Sequence, residues 1–290
     1  MEPRLLAEIS YAPSARSRPA QTFIRTVENV TGRRHLLLRA RASLDAPAGN
    51  TDFWRAMMQA YGLQLELSRG TLDYIPEEGP LVVVANHPFG ILDGLVLGYL
   101  LDGLRRDFRI LAHSAFQAAP EVARHILPID FSGTREAERH NLRTRADTIA
   151  YLRAGGAVGI FPGGTVSTAP HPFRRAADPQ WRLFSARMIQ RSGATVVPIW
   201  FDGANSRLFQ LASRLNYTLR MALLIREFKA RVNRPVRMAI GKPIGPDQLA
   251  RFDGRPKEMM DFLRAATYGM ADTPLDPMQL GYEFEGAYRH

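Results

Sequence analysis

The spacing of apolar positions along the chain changes character near residue 63. Before that point it is helical. Phe23, Ile24, Val27 and Val30 recur at three- and four-residue intervals, with Gly32 as a stop. Trp54, Met57, Met58 and Tyr61 repeat the pattern between a capping Thr51 and a closing Gly62. Residues 11–20, "YAPSARSRPA", read as a flexible lead-in. Residues 33–44, "RRHLLLRARASL", form a short basic and apolar piece. From residue 63 strand-like and helix-like runs alternate. "LQLELS", "LVVVANH", "FRILAH", "HILPIDF", "AVGIFP", "TVVPIWF" and "PVRMAIGKPI" read as strands. Helical patterns lie between them: "DGLVLGYLLDGL", "REAERHNLRTRADTIAYLRAGG", "PQWRLFSARMIQRSG" and a long helix or helix pair, "SRLFQLASRLNYTLRMALLIREFKARV". "RPKEMMDFLRAATYGM" is a closing helix.

This alternation predicts an α/β fold, a mostly parallel sheet flanked by helices, with a helical N-terminal appendage. The expected division is residues 1–60 for the appendage, 61–275 for the α/β domain and 276–290 for a tail. No stretch reaches the roughly 18–20 apolar residues that span a bilayer. No signal peptide is expected, given the acidic residue at position 2 and the lack of a long apolar run. Any membrane attachment is therefore expected to be peripheral.

Composition narrows the chemistry. The chain has 290 residues and no cysteine, which removes thiolate catalysis, disulfides and cysteine-zinc sites. Lys plus Arg number 38 against 28 Asp plus Glu, a net charge of +10 that favours anionic partners. Two segments set basic beside apolar residues and are candidates for an anionic membrane surface. One holds Phe23, Ile24, Arg33, Arg34, Leu36 and Leu37. The other holds Arg214, Arg220, Leu223, Leu224 and Arg226.

The candidate chemistry sits where the strand "LVVVA" stops at Asn86 and His87 and is followed by Pro88, Gly90 and Asp93. In an open α/β sheet, functional groups collect where strand C-termini meet the following loops. A carboxylate bonded to one ring nitrogen of His87 fixes its tautomer and leaves the other nitrogen as a general base. Taken alone, Asp93 reads as a helix N-cap. The second signal is "AVGIFPGGTVSTAP", in which a buried strand runs into Gly163, Gly164 and Thr165. Backbone N–H groups of such a turn can hold an oxyanion or phosphate. It is not a P-loop, because the lysine and the spacing are missing. Two other classes fit parts of the pattern. A hydrolase would use His87 and Asp93 on water, but the other histidines are scattered and form no metal motif. A nucleic-acid binder would use the basic charge, but the arginines are dispersed and no recognised binding motif is present.

Together these segments resemble the PlsC-type glycerolipid and lysophospholipid acyltransferases, over about residues 63–244. "VVVANHPFGILDG" is similar to that family's first block, "ILPIDF" to its second, "GIFPGGTVS" to its third, and "VVPIWF", with Pro198, to its fourth. The details are closer to the hemolysin-type branch, which includes ornithine-lipid acyltransferases. The resemblance implies a glycerol-3-phosphate acyltransferase-like fold. It also implies acyl transfer from an acyl carrier protein or coenzyme A thioester to a lysolipid acceptor, with no cofactor, no metal and no nucleic acid. His87 would be the general base and Asp93 its orienting partner, with Asn86, Gly90, Gly163, Gly164, Thr165, Arg135 and Pro198 contributing to substrate binding. Phe89, Ile91 and Phe116 are candidates for an acyl channel. The expected place of action is cytoplasmic, peripheral on the inner face of the cell membrane. Several departures bear on the acceptor. The family's second-block arginine has no clear counterpart after Asp130, with Arg135 and Arg139 nearby. The His-to-Asp gap holds five residues where the family has four. The third block has Gly163 where the family has glutamate and Val166 where it has arginine. Lacking those charges, the site is expected to use lysophosphatidic acid poorly, unless Arg135, Arg174 or Arg175 reaches in.

Overall fold

A computed structural model of the chain describes residues 10–15, 17–44, 52–113, 120–129 and 134–284. Thr51, Phe116 and the end of "ILPIDF" lie outside the described residues. Three helices come first: α1 (Arg18–Glu28), α2 (Arg34–Leu44) and α3 (Phe53–Ala60). The strands and helices that follow are β1 (Gln64–Arg69), β2 (Leu81–Ala85), α4 (Ile91–Arg105), β3 (Phe108–His113), α5 (Pro120–Ala123) and β4 (Ile126–Ile129). Next come α6 (Arg135–Arg153), β5 (Ala157–Ile160), α7 (Leu183–Ser192) and β6 (Thr195–Phe201). The chain ends with α8 (Arg207–Leu215), α9 (Tyr217–Lys229), β7 (Pro235–Ile240), α10 (Pro246–Ala250) and α11 (Pro256–Tyr268).

The strands form one seven-stranded sheet, ordered β1-β7-β6-β2-β5-β3-β4. Every pair is parallel except β6 with β7. The expected mostly parallel sheet is therefore present, with one antiparallel contact. β2 is the central strand, and its five residues are all buried. Leu81, Val83 and Ala85 face a core shared with Trp54, Leu92, Val96 and Phe228, while Val82 and Val84 face Met188, Ile189, Met259 and Leu263. Helices cover both faces, which is why the strand reads as an unbroken apolar run.

The N-terminal region matches expectation at one point and departs from it at another. The helix breaks at Gly32, whose non-helical φ of 159° and ψ of −13° kink the chain ahead of α2. The lead-in, however, is not loose. Ser10 Oγ and the Tyr11 amide donate to the Glu28 carboxylate at 2.5 and 2.6 Å. Ala12, Ala15 and Ile24 then pack with Phe209, Met221, Ala222 and Leu224. The candidate membrane residues also need correction, because Ile24, Arg33, Leu36, Arg220 and Leu224 are buried. Outward apolar residues here include Phe23, Val30, Leu38, Leu208, Leu211 and Leu215. α8 and α9 are two helices because Asn216 is extended (φ −158°, ψ 133°) and caps α9 through Thr218 and Leu219.

Candidate active site

The site forms where two neighbouring central strands end. β2 and β5 pair through Val84 and Ile160. β2 is followed by Asn86 and His87, and β5 by Phe161, Pro162, Gly163 and Gly164. The chain then leaves in opposite directions, through α4 toward β3 and through α7 toward β6. Such a divergence opens a crevice at the strand C-termini.

His87 and Asp93 meet there. Asp93 Oδ2 lies 3.0 Å from His87 Nδ1. The same oxygen accepts the amides of Phe89 at 2.8 Å and Gly90 at 3.0 Å. Gly90 makes this possible: its φ of 89° turns the chain sharply ahead of α4. The N-cap is therefore Gly90, while Asp93 stands at the third helical position and reaches back. Three N–H groups converging on one oxygen require an acceptor, so Nδ1 of the neutral ring donates and Nε2 carries the lone pair. The Asp93 side chain is fully buried, whereas that of His87 is 18% exposed. Burial pushes the Asp93 carboxyl up from its ordinary range, and the bonds from His87, Phe89 and Gly90 oppose this. Phe161 stacks on the imidazole with centroids 4.1 Å apart and planes 24° apart, fixing the ring from the β5 side.

The Gly163–Gly164 turn is braced from two directions. The Gly164 amide donates to Phe161 O at 2.9 Å, and φ at Gly164 is 70°. From α9, Arg220 donates to Thr165 Oγ1 at 2.9 Å, Val166 O at 2.7 Å and Thr168 Oγ1 at 2.5 Å. Its side chain is completely buried, under the rings of Phe209 and Phe284. Burial lowers its pKa to about 10, so it is still cationic at neutral pH. From the other side comes Asp178, also completely buried, which accepts the His87 amide at 3.1 Å, Ser167 Oγ at 2.5 Å and Trp181 Nε1 at 2.9 Å.

The structure brings His87, Asp93, Gly90, Gly163, Gly164 and Thr165 together. Other candidates stand elsewhere. Asn86 has both ends of its amide on the Phe201 backbone, at 2.9 and 2.7 Å, and ties β2 to β6. Pro198 pairs with Val84 inside β6 and is covered by Gly241. Arg135 is an exposed first residue of α6, beyond the edge strand β4. β4 is three strands from β2, about 14 Å at the usual strand spacing. Arg174 and Arg175 are exposed. Sequence reasoning missed Asp178 and Tyr11, and it gave Arg220 to the membrane. Tyr11 reaches the start of α4, where its hydroxyl is hydrogen-bonded to the Ile91 backbone and burial pushes its pKa up. For Arg220 a signal was present: one arginine inside the apolar run "TLRMALLI".

Residues 69–202 match the model of the Acyltransferase family. That span runs from the end of β1 to just past β6 and contains both loops. A Lyso-glycine lipid O-acyltransferase from Phocaeicola vulgatus is 25% identical over 224 residues, covering 75% of this chain and 77% of that protein. A second, from Bacteroides thetaiotaomicron, is 25% identical over 226 residues, covering 75% and 79%. Among solved structures, the 1-acyl-sn-glycerophosphate (LPA) acyltransferase PlsC from Thermotoga maritima is similar, with a TM-score of 0.44 and 14% identity, over 87% of this chain and 97% of that one.

Proposed function

From the premise that this chain carries a PlsC-type acyltransferase domain and is a lipid acyltransferase, we propose that it acylates the hydroxyl of a lysolipid with a small amino-acid headgroup. The donor is an acyl thioester of coenzyme A or acyl carrier protein. The observation that carries the proposal is the His87–Asp93 pair at 3.0 Å, with the ring partly exposed and the carboxylate sealed beneath it. Nε2 takes the proton of the acceptor hydroxyl as the oxygen attacks the thioester carbonyl. Asp93 stabilises the imidazolium that forms. The tetrahedral oxyanion then collapses, and the departing thiolate recovers the proton from Nε2. The Gly163 amide is the proposed support for the oxyanion, since the Gly164 amide is held by Phe161 O.

Two features favour an amino-acid headgroup over a phosphate. Gly163 and Val166 offer no charged side chain, and Arg220 is spent on the turn itself. An arginine–phosphate contact is charge-assisted and often bidentate, and valine has no donor to replace it. The similar proteins are Lyso-glycine lipid O-acyltransferases. The test offers palmitoyl-CoA and palmitoyl-acyl carrier protein with lyso-glycine lipid, lyso-ornithine lipid and lysophosphatidic acid. The expected result is turnover on the aminolipids, with kcat/KM for lysophosphatidic acid lower by about tenfold or more, the loss of roughly one charge-assisted contact. Lysophosphatidic acid as the best acceptor overturns the acceptor assignment.

We also propose that the enzyme works peripherally, on the cytoplasmic inner face of the cell membrane. Among the described residues no helix is long and apolar enough to cross a bilayer. An apolar groove of about 300 Å³ runs between α1 and α8, lined by Phe23, Val27, Leu208, Leu211 and Leu215. The loop bearing exposed Phe173, Arg174 and Arg175 starts near Ala169, whose amide donates to Gln210 of α8. Exposed apolar side chains beside arginines on a chain of net charge +10 suit an anionic interface.

A further inference from the structure

We infer that Asp178 is a positioning residue for His87, its carboxylate entering the space beside Gly163 from outside the 161–166 turn. The inference rests on the reading of His87 as the base. A buried carboxylate is costly unless donors surround it, and two of the donors around Asp178 belong to the catalytic corner. Oδ1 accepts the amide of His87 itself at 3.1 Å and the hydroxyl of Ser167 at 2.5 Å. The Ser167 amide in turn donates to the carbonyl of His87 at 2.7 Å. These bonds close a ring through both peptide groups that flank the His87 Cα, so the direction in which its side chain leaves the backbone is fixed.

Space at the turn points the same way. A Cβ at Gly163 would stand 3.0 Å from Asp178 Cβ and 3.3 Å from its Cγ. A side chain at 163 would crowd the one that enters from residue 178. Asp178 is itself held from behind. Its amide donates to the Tyr268 hydroxyl at 2.8 Å, and its carbonyl accepts from Arg264 of α11 at 3.0 Å and from the Gly281 amide at 2.7 Å. α11 and the chain after it therefore anchor the carboxylate, which anchors His87.

The test is a reciprocal swap, read with palmitoyl-CoA and lyso-glycine lipid. Asp178→Ala is expected to lower kcat about 10²-fold with KM changed by less than about threefold, the signature of a misplaced base. Gly163→Glu in the native background puts a second carboxylate into the same space and is expected to lower kcat by about tenfold or more. In an Asp178→Gly background, where the Cβ that Asp178→Ala would keep 3.0 Å from a Cβ at 163 is gone, the same Gly163→Glu change is expected to raise kcat about tenfold above Asp178→Gly alone, because the space is free and a carboxylate returns. A folded Asp178→Ala protein with unchanged kcat overturns the proposal, as does a Gly163→Glu change equally harmful in both backgrounds. If Asp178→Ala has no cooperative melt, isosteric Asp178→Asn takes its place: it must turn one N–H₂ toward donors and is expected to lose about tenfold in kcat, while an unchanged kcat overturns the idea. An arm without substrate separates this proposal from the acyl-transfer reading. The ¹⁵N ring resonances of His87, assigned by their loss in His87→Gln, should move in Asp178→Ala and return in the double variant. Unmoved resonances overturn the proposal whatever the lipid assay gives.

Discussion

Asp93 gathers the three N–H groups of His87, Phe89 and Gly90 onto one oxygen, and it does so from the third position of α4 rather than from its cap. One oxygen thus sets the imidazole tautomer and the turn that presents it. Asp93→Asn keeps the size but must set an amide N–H₂ or a weaker acceptor against three donors. Turnover is expected to fall about 10²-fold in steady-state assays with the fold retained. The sign of the pH effect follows from burial. The raised Asp93 carboxyl takes up a proton earlier on acidification than an ordinary aspartate, and kcat/KM should fall toward acid as its charge is lost. Arg220 is the other residue whose surroundings define its task. It is cationic and buried, and among the described residues its hydrogen bonds go to hydroxyls and a carbonyl of the turn. Arg220→Met leaves the Val166 carbonyl without this donor and should cost about 1–3 kcal/mol in urea denaturation.

Elements meet at a second charged contact, where Asp52 caps α3 and Asp102 lies in the last turn of α4. Burial, with the bond and repulsion from Asp52, raises the Asp102 pKa from 3.8 to about 7. A carboxyl raised on folding favours the folded state only at low pH. That advantage is lost as pH rises from about 4 through about 7, because the folded protein must give up a proton it binds more tightly than the unfolded chain does. Asp102→Asn should therefore raise the melting temperature at pH 8 and change it little at pH 4.5; equal shifts at both would refute the pairing. The elements themselves were largely legible. β2 announced itself by its continuous apolar run and β5 by the run that ends in "FPGGT", since period and turn residues are local properties. The His87–Asp93 contact was legible too, six residues apart across one glycine turn. What sequence could not convey is long-range. Asp178 is 91 residues from His87 and Arg220 is 55 from Thr165. Neither carries a local pattern that says which way it points. The same limit explains the membrane residues: helical spacing marks an apolar stripe on α1, but only packing shows that Ile24 faces in and Phe23 faces out.

For the molecule as a whole, the sheet turns the ends of β2 and β5 toward helices that also carry the apolar groove. Leu224 and Val166 pack around Gly90, while Leu208, Leu211 and Leu215 face outward on the neighbouring α8. A lipid surface on that groove would lie behind the helices that border the reacting corner. Leu208→Ser/Leu211→Ser/Leu215→Ser should reduce co-sedimentation with anionic vesicles about tenfold or more, given the apolar area removed. Added salt should weaken native binding. Equal binding of native and triple-variant protein would exclude this face. The central claim is narrower: acyl transfer depends on His87 as a base at the end of β2. It is tested most directly by following radiolabelled palmitoyl-CoA into product on lyso-glycine lipid, with native protein and with a His87→Ala variant of matching melting temperature. The account predicts product from the native enzyme and a rate about 10²- to 10⁴-fold lower from the variant. A folded His87→Ala protein that turns over at the native rate would contradict it.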